Sequence, residues 1–306
     1  MASSRKLVIY AALIGNSLIA VMKFAAALIT GSSAMFSEGV HSVVDTGNQI
    51  LLLYGLKQAQ KPADKRFPFG HGKEIYFWSF VVAILIFAVG AGISIYEGIH
   101  SLTDPHPLEN LQINYIVLGL AIIFEGAAWF FALKEFNQAK GDKGYIEAVQ
   151  RGKDPSMFVV LFEDSAALLG LFVALIATYL TQVTGNLVFD GLASIIIGCI
   201  LAGTAIWLAK ETKGLLIGEA ANNYVVDGIH KLAANIENID HVNEVLTMHM
   251  GPDFILVNIS VEFRDEATAN DIEDAVTALD ERIKAEYENV KRVFVEAEAR
   301  HSIISQ

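Results

Sequence analysis

Six stretches of this chain run for more than twenty residues with almost no charge: 7–29, 35–56, 75–99, 111–133, 157–180 and 187–209. About 20 apolar residues in an α-helix cross the hydrocarbon of a bilayer, and in lipid a helix is one of the few structures that satisfies all of its own backbone groups. The pattern therefore predicts six transmembrane helices. The first is read as a helix and not as a signal peptide: its apolar run is too long, it carries Lys23, and no small-residue cleavage site leads into a soluble domain.

Composition agrees. Hydrophobic residues make up 53 % of the 306, charged residues only 18 %, against about 25 % charge in an ordinary soluble domain; mean hydropathy is +0.44. The single cysteine, Cys199, falls inside the sixth run, which excludes a disulfide framework and a thiolate metal cluster. No glycine-rich phosphate loop, internal repeat or basic nucleic-acid patch is present, so nucleic acid is not an expected partner.

Charge divides the chain. Residues 1–213 hold 15 basic and 16 acidic side chains, residues 214–306 hold 7 and 18. This predicts two domains, a six-helix membrane domain over 1–213 and an acidic domain over 214–306. Basic residues gather before span one (Arg5, Lys6), between spans two and three (Lys57, Lys61, Lys65, Arg66, Lys73), between four and five (Lys134, Lys140, Lys143, Arg151, Lys153) and after six (Lys210, Lys213). The three other loops, 30–34, 100–110 and 181–186, have none. The positive-inside rule then puts both termini in the cytoplasm.

The acidic segment alternates in character. Helical apolar spacing covers 224–235, strand-like runs cover 242–250 and Phe254–Phe263, and Gly251-Pro252-Asp253 punctuates them as a turn. Residues 270–287 repeat apolar side chains at Ile272, Val276, Leu279 and Ile283, and 290–295 supplies a last strand. The predicted order is αββαβ, with one sheet face under two helices.

The chemistry lies where lipid should be. Span two carries Glu38, His41, Asp45 and Asn48 at offsets of 0, 3, 7 and 10, one stripe of a helix with 3.6 residues per turn. Span five carries Glu163 and Asp164. Each ionised group at mid-bilayer costs about 2.5–3.5 kcal/mol, so four carboxylates would cost roughly 10–14 kcal/mol without a cation or proton. His41 and Asp45, four apart, stack one turn above the other and can bind one ion, with Asp164 and Glu163 completing the shell from the neighbouring helix. One imidazole with carboxylates suits a borderline divalent ion: Zn²⁺ first, with Fe²⁺, Co²⁺ and Mn²⁺ compatible; Ca²⁺ and Mg²⁺ favour all-oxygen cages. At about 1.5 Å per residue, Asp45 and Asp164 lie some 16 Å and 10 Å from the cytoplasmic ends of their spans, a mismatch within boundary error. Asn48, Gln49 and Asn16 read as helix–helix hydrogen-bond groups. Glu97, Glu125 and Asp190 read as packing partners.

With Ser37-Glu38-Gly39-Val40-His41-Ser42-Val43-Val44-Asp45 in span two, Phe69-Gly70-His71-Gly72-Lys73 opening span three and Asp190-Gly191-Leu192-Ala193-Ser194 starting span six, the chain resembles a cation diffusion facilitator. The resemblance extends over nearly the whole length. It implies a homodimer with a metallochaperone-like tail that exports Zn²⁺ or a related ion in exchange for protons, with no prosthetic group. Three departures stand out. The ligand position four before Asp164 is Val160, which leaves the fourth place to Glu163 or water. In the loop before span three, Asp64 and His71 match a second site, but the position between them is Phe67. In the tail, frequent His positions read Asn243 and Asn258, leaving Glu296, Glu298 and either His249 or His301.

Metal ligands must be deprotonated, so a cation entering such a site expels protons and protonation releases the cation. His41, of a residue type that ordinarily titrates near pH 6.5, is the natural exchanger. Rival readings are an intramembrane metalloenzyme, against which stands the lack of an HExxH spacing or a separate general base, a passive cation channel, and a membrane-anchored metal sensor. The length and the lack of a transit peptide point to a bacterial plasma membrane.

Overall fold

The computed structural model describes residues 2–140, 144 and 155–300; Lys143, Arg151, Lys153 and His301 lie outside them. Six long helices fall on the six apolar runs: α1 (Ala2–Thr30), α2 (Ser33–Ala59), α3 (Glu74–Thr103), α4 (Leu111–Lys140), α5 (Pro155–Thr184) and α6 (Val188–Ile217). Within α3, Ile86–Ala91 adopts a π-helical turn. Each helix outruns its apolar core by a few residues, as helix ends emerging into the headgroup region do. By length and apolarity, α3 through α6 each suffice to cross a membrane, and the described apolar part of α1 is Gly15–Thr30. At 27 residues α2 is long enough, about 40 Å at 1.5 Å per residue, but its polar stripe lowers its hydropathy. Large side chains such as Leu28 (86 % exposed), Ile123 (69 %) and Phe131 (67 %) point outward, as lipid-facing residues do. The fold is that of a multi-pass α-helical membrane protein with a small C-terminal αββαβ domain.

Without a hydrophobic drive between helices in lipid, association relies on close van der Waals fit and polar links. Both are present. Helices α3 and α6 approach through Gly98, Gly191 and Gly198: a Cβ on Gly98 would meet the Gly191 carbonyl oxygen at 2.7 Å, and one on Gly198 the Ile95 nitrogen at 3.0 Å. The α1–α2 junction turns at Gly31, whose φ of +73° suits glycine and whose N–H donates to Ala27 O at 2.8 Å.

Polar links converge on α2. Asp190, at the start of α6, accepts from Ser33 N (2.6 Å), Ala34 N (3.4 Å) and the hydroxyls of Ser32 (2.6 Å) and Ser33 (3.0 Å). It thus caps the α2 N-terminus from another helix, neutralising orphan N–H groups and the positive dipole end together. The Ser37 and Ser194 hydroxyls hydrogen-bond each other, and Ser194 donates to Ser94 O. Asp190 is thus a packing partner, as its isolation in sequence suggests.

A second compact unit joins residues 57–76 to the chain from Gly214 onward. It contains α7 (Asn223–Ala234), β1 (Ile239–Gly251), β2 (Phe254–Phe263), α8 (Ala269–Glu286) and β3 (Val290–Ala297). Strands β1 and β2 form an antiparallel hairpin across Pro252-Asp253; β3 joins β2 in parallel, so α8 is the crossover. Val257, Ile259 and Val261 of β2 bury under Val225, Ile229 and Ala233 of α7 and Ala275, Leu279 and Ile283 of α8. The α8 stripe is shifted from the expected one: Leu279 and Ile283 are in the core, but Ala275 fills the third place and Ile272 and Val276 are half-buried. The small Ala275 lets the helix lie close to the sheet. Thr268 and Asp271 cap α8 reciprocally.

The segment between α2 and α3 packs on the hairpin of this unit. Gly72 lies against Met250 and Gly251, the Lys73 ammonium sits 3.7 Å from Met248 Sδ, and the Phe69 and Phe294 rings meet edge-on at 6.5 Å. Burial holds the Lys73 ammonium below its usual range. A Cβ on Gly72 would overlap the Met250 carbonyl oxygen, which is backbone and cannot turn aside. Gly72→Ala is therefore expected to loosen this contact at about 1–3 kcal/mol, the usual range for overpacking. Hydrogen exchange on the full chain would show faster exchange in 61–74 and 248–256; unchanged protection there would contradict the contact.

Candidate metal centre

Span two delivers its polar stripe to the interior. Glu38 and Asn48 are fully buried, His41 is 1 % exposed and Asp45 8 %. His41 Nδ1 lies 3.4 Å from Asp45 Oδ1, one turn along the same helix and beyond ordinary hydrogen-bond length. Neither ring nitrogen of His41 makes a hydrogen bond, nor does Asp45 Oδ1. Buried imidazole and carboxylate atoms without partners are rare in native structures and commonly mark a place where an ion or water belongs.

On α5, Glu163 is buried and Asp164 half-buried. The tie between the two helices is Asn48, whose Nδ2 donates to Glu163 Oε1 at 2.6 Å. Asn48, read from sequence as a helix–helix group, is that, and through it a Glu163 carboxylate is held one turn from Asp45. Asp45 stands within electrostatic reach of Glu163, Asp164 and Glu125. Among the described residues, however, no three His, Cys, Asp or Glu side chains already close on one point. The structure brings His41 beside Asp45 and Asn48 beside Glu163; it does not join the three acids Asp45, Glu163 and Asp164 and the imidazole into a finished shell.

Two buried residues play larger parts here than the sequence assigned them. Lys23 of α1 is fully buried, and its Nζ donates to Glu38 Oε2 at 2.9 Å and to Ser42 Oγ at 2.8 Å. Removing one partner of such a buried pair leaves an uncompensated charge, at about 3–5 kcal/mol. Glu125 of α4, 5 % exposed, adds a further carboxylate within electrostatic reach of Asp45 and Asp164. The signal for Lys23 was its presence inside an apolar run, where a lone cation needs an acid.

The two other candidate sites are built differently. In the loop, Asp64 Oδ1 accepts from Arg66 N (2.7 Å) and Phe67 N (2.8 Å), while Oδ2 meets His71 Nε2 at 3.1 Å. The Phe67 ring lies 4.6 Å from that of His71. This is a clasp that fixes the loop. The Phe67 N–H, then His71, hold the Asp64 carboxyl below the usual carboxylate range, so the clasp persists at neutral pH and weakens only as pH falls through that lowered value. On the tail sheet, Asn258 Nδ2 donates to Glu296 Oε1 (3.1 Å), Ser260 to Glu298, and Asn243 Nδ2 to Ser260 Oγ (3.1 Å). Neutral donors there engage both acids. His249 is buried in β1.

The membrane helices thus bury His41, Asp45 and Asn48 of α2, with Asn48 bonded to Glu163 of α5. The family profile described as Cation efflux transmembrane domain matches residues 9–217, and the chain belongs to the cation efflux family. It is 34 % identical over 258 residues to the proton-coupled zinc antiporter SLC30A9, mitochondrial, of Xenopus laevis, covering 84 % of this chain and 46 % of that protein. To metal tolerance protein C4 of Arabidopsis thaliana it is 30 % identical over 253 residues, 82 % of this chain and 55 % of that one. The chain thus spans about half the length of these relatives. A MamM CTD structure in its nickel form aligns with 26 % of this chain and all of its own, at 19 % identity and a TM-score of 0.24.

Proposed function

We infer that this chain is a secondary transporter that exports a divalent transition-metal cation, Zn²⁺ before Fe²⁺, Co²⁺ or Mn²⁺, from the cytoplasm in exchange for protons. His41, Asp45, Glu163 and Asp164 hold the cation. The observation that carries this reading is the pair His41–Asp45, buried at mid-helix with both imidazole nitrogens and a carboxylate oxygen lacking hydrogen-bond partners, facing a helix with two further acids. The names of the two relatives, a proton-coupled zinc antiporter and a metal tolerance protein, support it.

In this reading Glu163 and Asp164 of α5 join His41 and Asp45 of α2 on the ion, and the Asn48–Glu163 bond keeps the two helices in register. Entry of a dication displaces protons from the imidazole and carboxylates; reprotonation from the other side expels it. Rocking of the helices alternates access. The protein works as a homodimer in the plasma membrane, both termini cytoplasmic, with 214–306 as its dimerisation and regulatory domain.

The test is metal-by-metal uptake into proteoliposomes containing a pH dye. Saturable Zn²⁺ entry with proton exit in the opposite direction is expected. Flux that follows the metal gradient with no proton movement would indicate a channel, and metal binding without uptake a sensor; either result overturns the proposal.

A further inference from the structure

Lys23 is the one Lys or Arg inside the six apolar runs. Its ammonium is fully buried and engages Glu38 Oε2 and Ser42 Oγ. Glu38 and Ser42 flank His41 on α2, and His41 and Asp45 both lie within electrostatic reach of the Lys23 charge. The second Glu38 oxygen, Oε1, has no hydrogen-bond partner. It lies against Gly170 of α5, where a Cβ would overlap it. Glu38 is thus a carboxylate three residues before His41, with one oxygen turned to the helix that carries Glu163 and Asp164 and the other held by a tethered cation.

We propose that Lys23 is a positioning residue that sets the affinity of the metal site: by holding Glu38 in an ion pair it keeps that carboxylate out of the shell and subtracts one negative charge beside it. A carrier must bind its cation strongly enough to load and weakly enough to unload, and ligand charge count is the main lever on divalent affinity in oxygen-rich sites. With Glu38 free, a dication would meet four carboxylates and an imidazole, and would leave slowly. This inference rests on the transport reading above.

Four variants test it in the full-length protein: Lys23→Met, Lys23→Arg, Glu38→Gln and the double Lys23→Met/Glu38→Gln. Zn²⁺ uptake kinetics in proteoliposomes are measured beside equilibrium Zn²⁺ binding in detergent. Lys23→Met is expected to bind Zn²⁺ about tenfold more tightly, with KM and kcat falling together, and Glu38→Gln to raise KM about tenfold, since each changes the local charge by one unit. The double variant, which leaves no buried charge unpaired, brings KM back toward the wild-type value, and Lys23→Arg keeps it there.

A merely structural pair would lower the yield of folded protein in both single variants and leave KM of the surviving protein unmoved; that result overturns the inference. If Lys23→Met does not fold, the other three decide: a raised KM in Glu38→Gln restored by the double variant supports it, and an unmoved KM contradicts it. If wild-type protein neither binds nor moves Zn²⁺, both this inference and the transport reading fall. If wild-type transports and His41→Ala abolishes transport while the Lys23 series leaves KM unmoved, only this inference falls.

Discussion

Replacing His41 by Ala, or Asp45 by Asn, is expected to abolish metal-driven proton movement in sealed vesicles while the protein still folds. The expectation follows from what these side chains lack. His41 is buried with no hydrogen bond to either ring nitrogen, and Asp45 Oδ1 is equally unpartnered, so neither variant breaks a link that holds the bundle. Asp190 still caps α2, Ser37 still meets Ser194, and Asn48 still reaches Glu163. Loss of a metal-orienting neighbour alone commonly costs 10–100-fold in affinity, and loss of a ligand is expected to cost at least about 100-fold. Flux is read with an internal pH dye under a Zn²⁺ gradient, and folding by a monodisperse elution profile. Unchanged flux in both variants would refute the site.

On α5 the two neighbouring acids should part ways. Asp164→Asn is expected to be nearly inactive. Glu163→Gln is expected to lose only part of its activity, about tenfold, as for a supporting ligand. Glu163 already spends one oxygen on Asn48, and a glutamine carbonyl can accept the same bond, so α2 and α5 stay tied while only charge is lost. The comparison is made at equal reconstituted protein and several Zn²⁺ concentrations. Equal and mild effects from both substitutions would show that α5 contributes little to cation binding.

Among the described residues, hydropathy alone finds four spans outright and understates α2. That helix was legible for the opposite reason: Glu38, His41, Asp45 and Asn48 recur at helical spacing, and a stripe of polar groups inside an otherwise apolar run has to face protein. The αββαβ order of the tail was legible because helix and strand periods differ and Gly251-Pro252-Asp253 marks the hairpin. Periodicity gives a face, however, and not the partner across it. It could not say that Lys23 pairs with Glu38, that Asp190 caps a helix more than 150 positions earlier in the chain, or that Gly72 rests on Met250 and Gly251. On α8 it favoured the bulky Ile272 and Val276 over Ala275, because apolar size marks a core face in sequence while close approach to a sheet rewards a small residue.

The loop and tail illustrate the same limit for chemistry. Asp64 and His71 have a metal-compatible spacing, yet both oxygens of the carboxylate are engaged, with two backbone N–H groups and the His71 ring. Glu296 lies in β3 and Glu298 just past its end, and the Asn258 and Ser260 side chains on the adjacent strand meet them as hydrogen-bond donors. Residue type proposed ligands in these places; the neighbours decide what each acid does.

The most direct measurement is the zinc K-edge X-ray absorption of Zn²⁺-loaded, full-length protein in detergent, wild type beside His41→Ala. The account predicts one imidazole nitrogen with oxygen neighbours, all at about 2.0–2.2 Å, and loss of the imidazole signal or of the bound zinc in the variant. A sulfur-containing or all-oxygen shell in the wild type, or the same spectrum from both proteins, would contradict it.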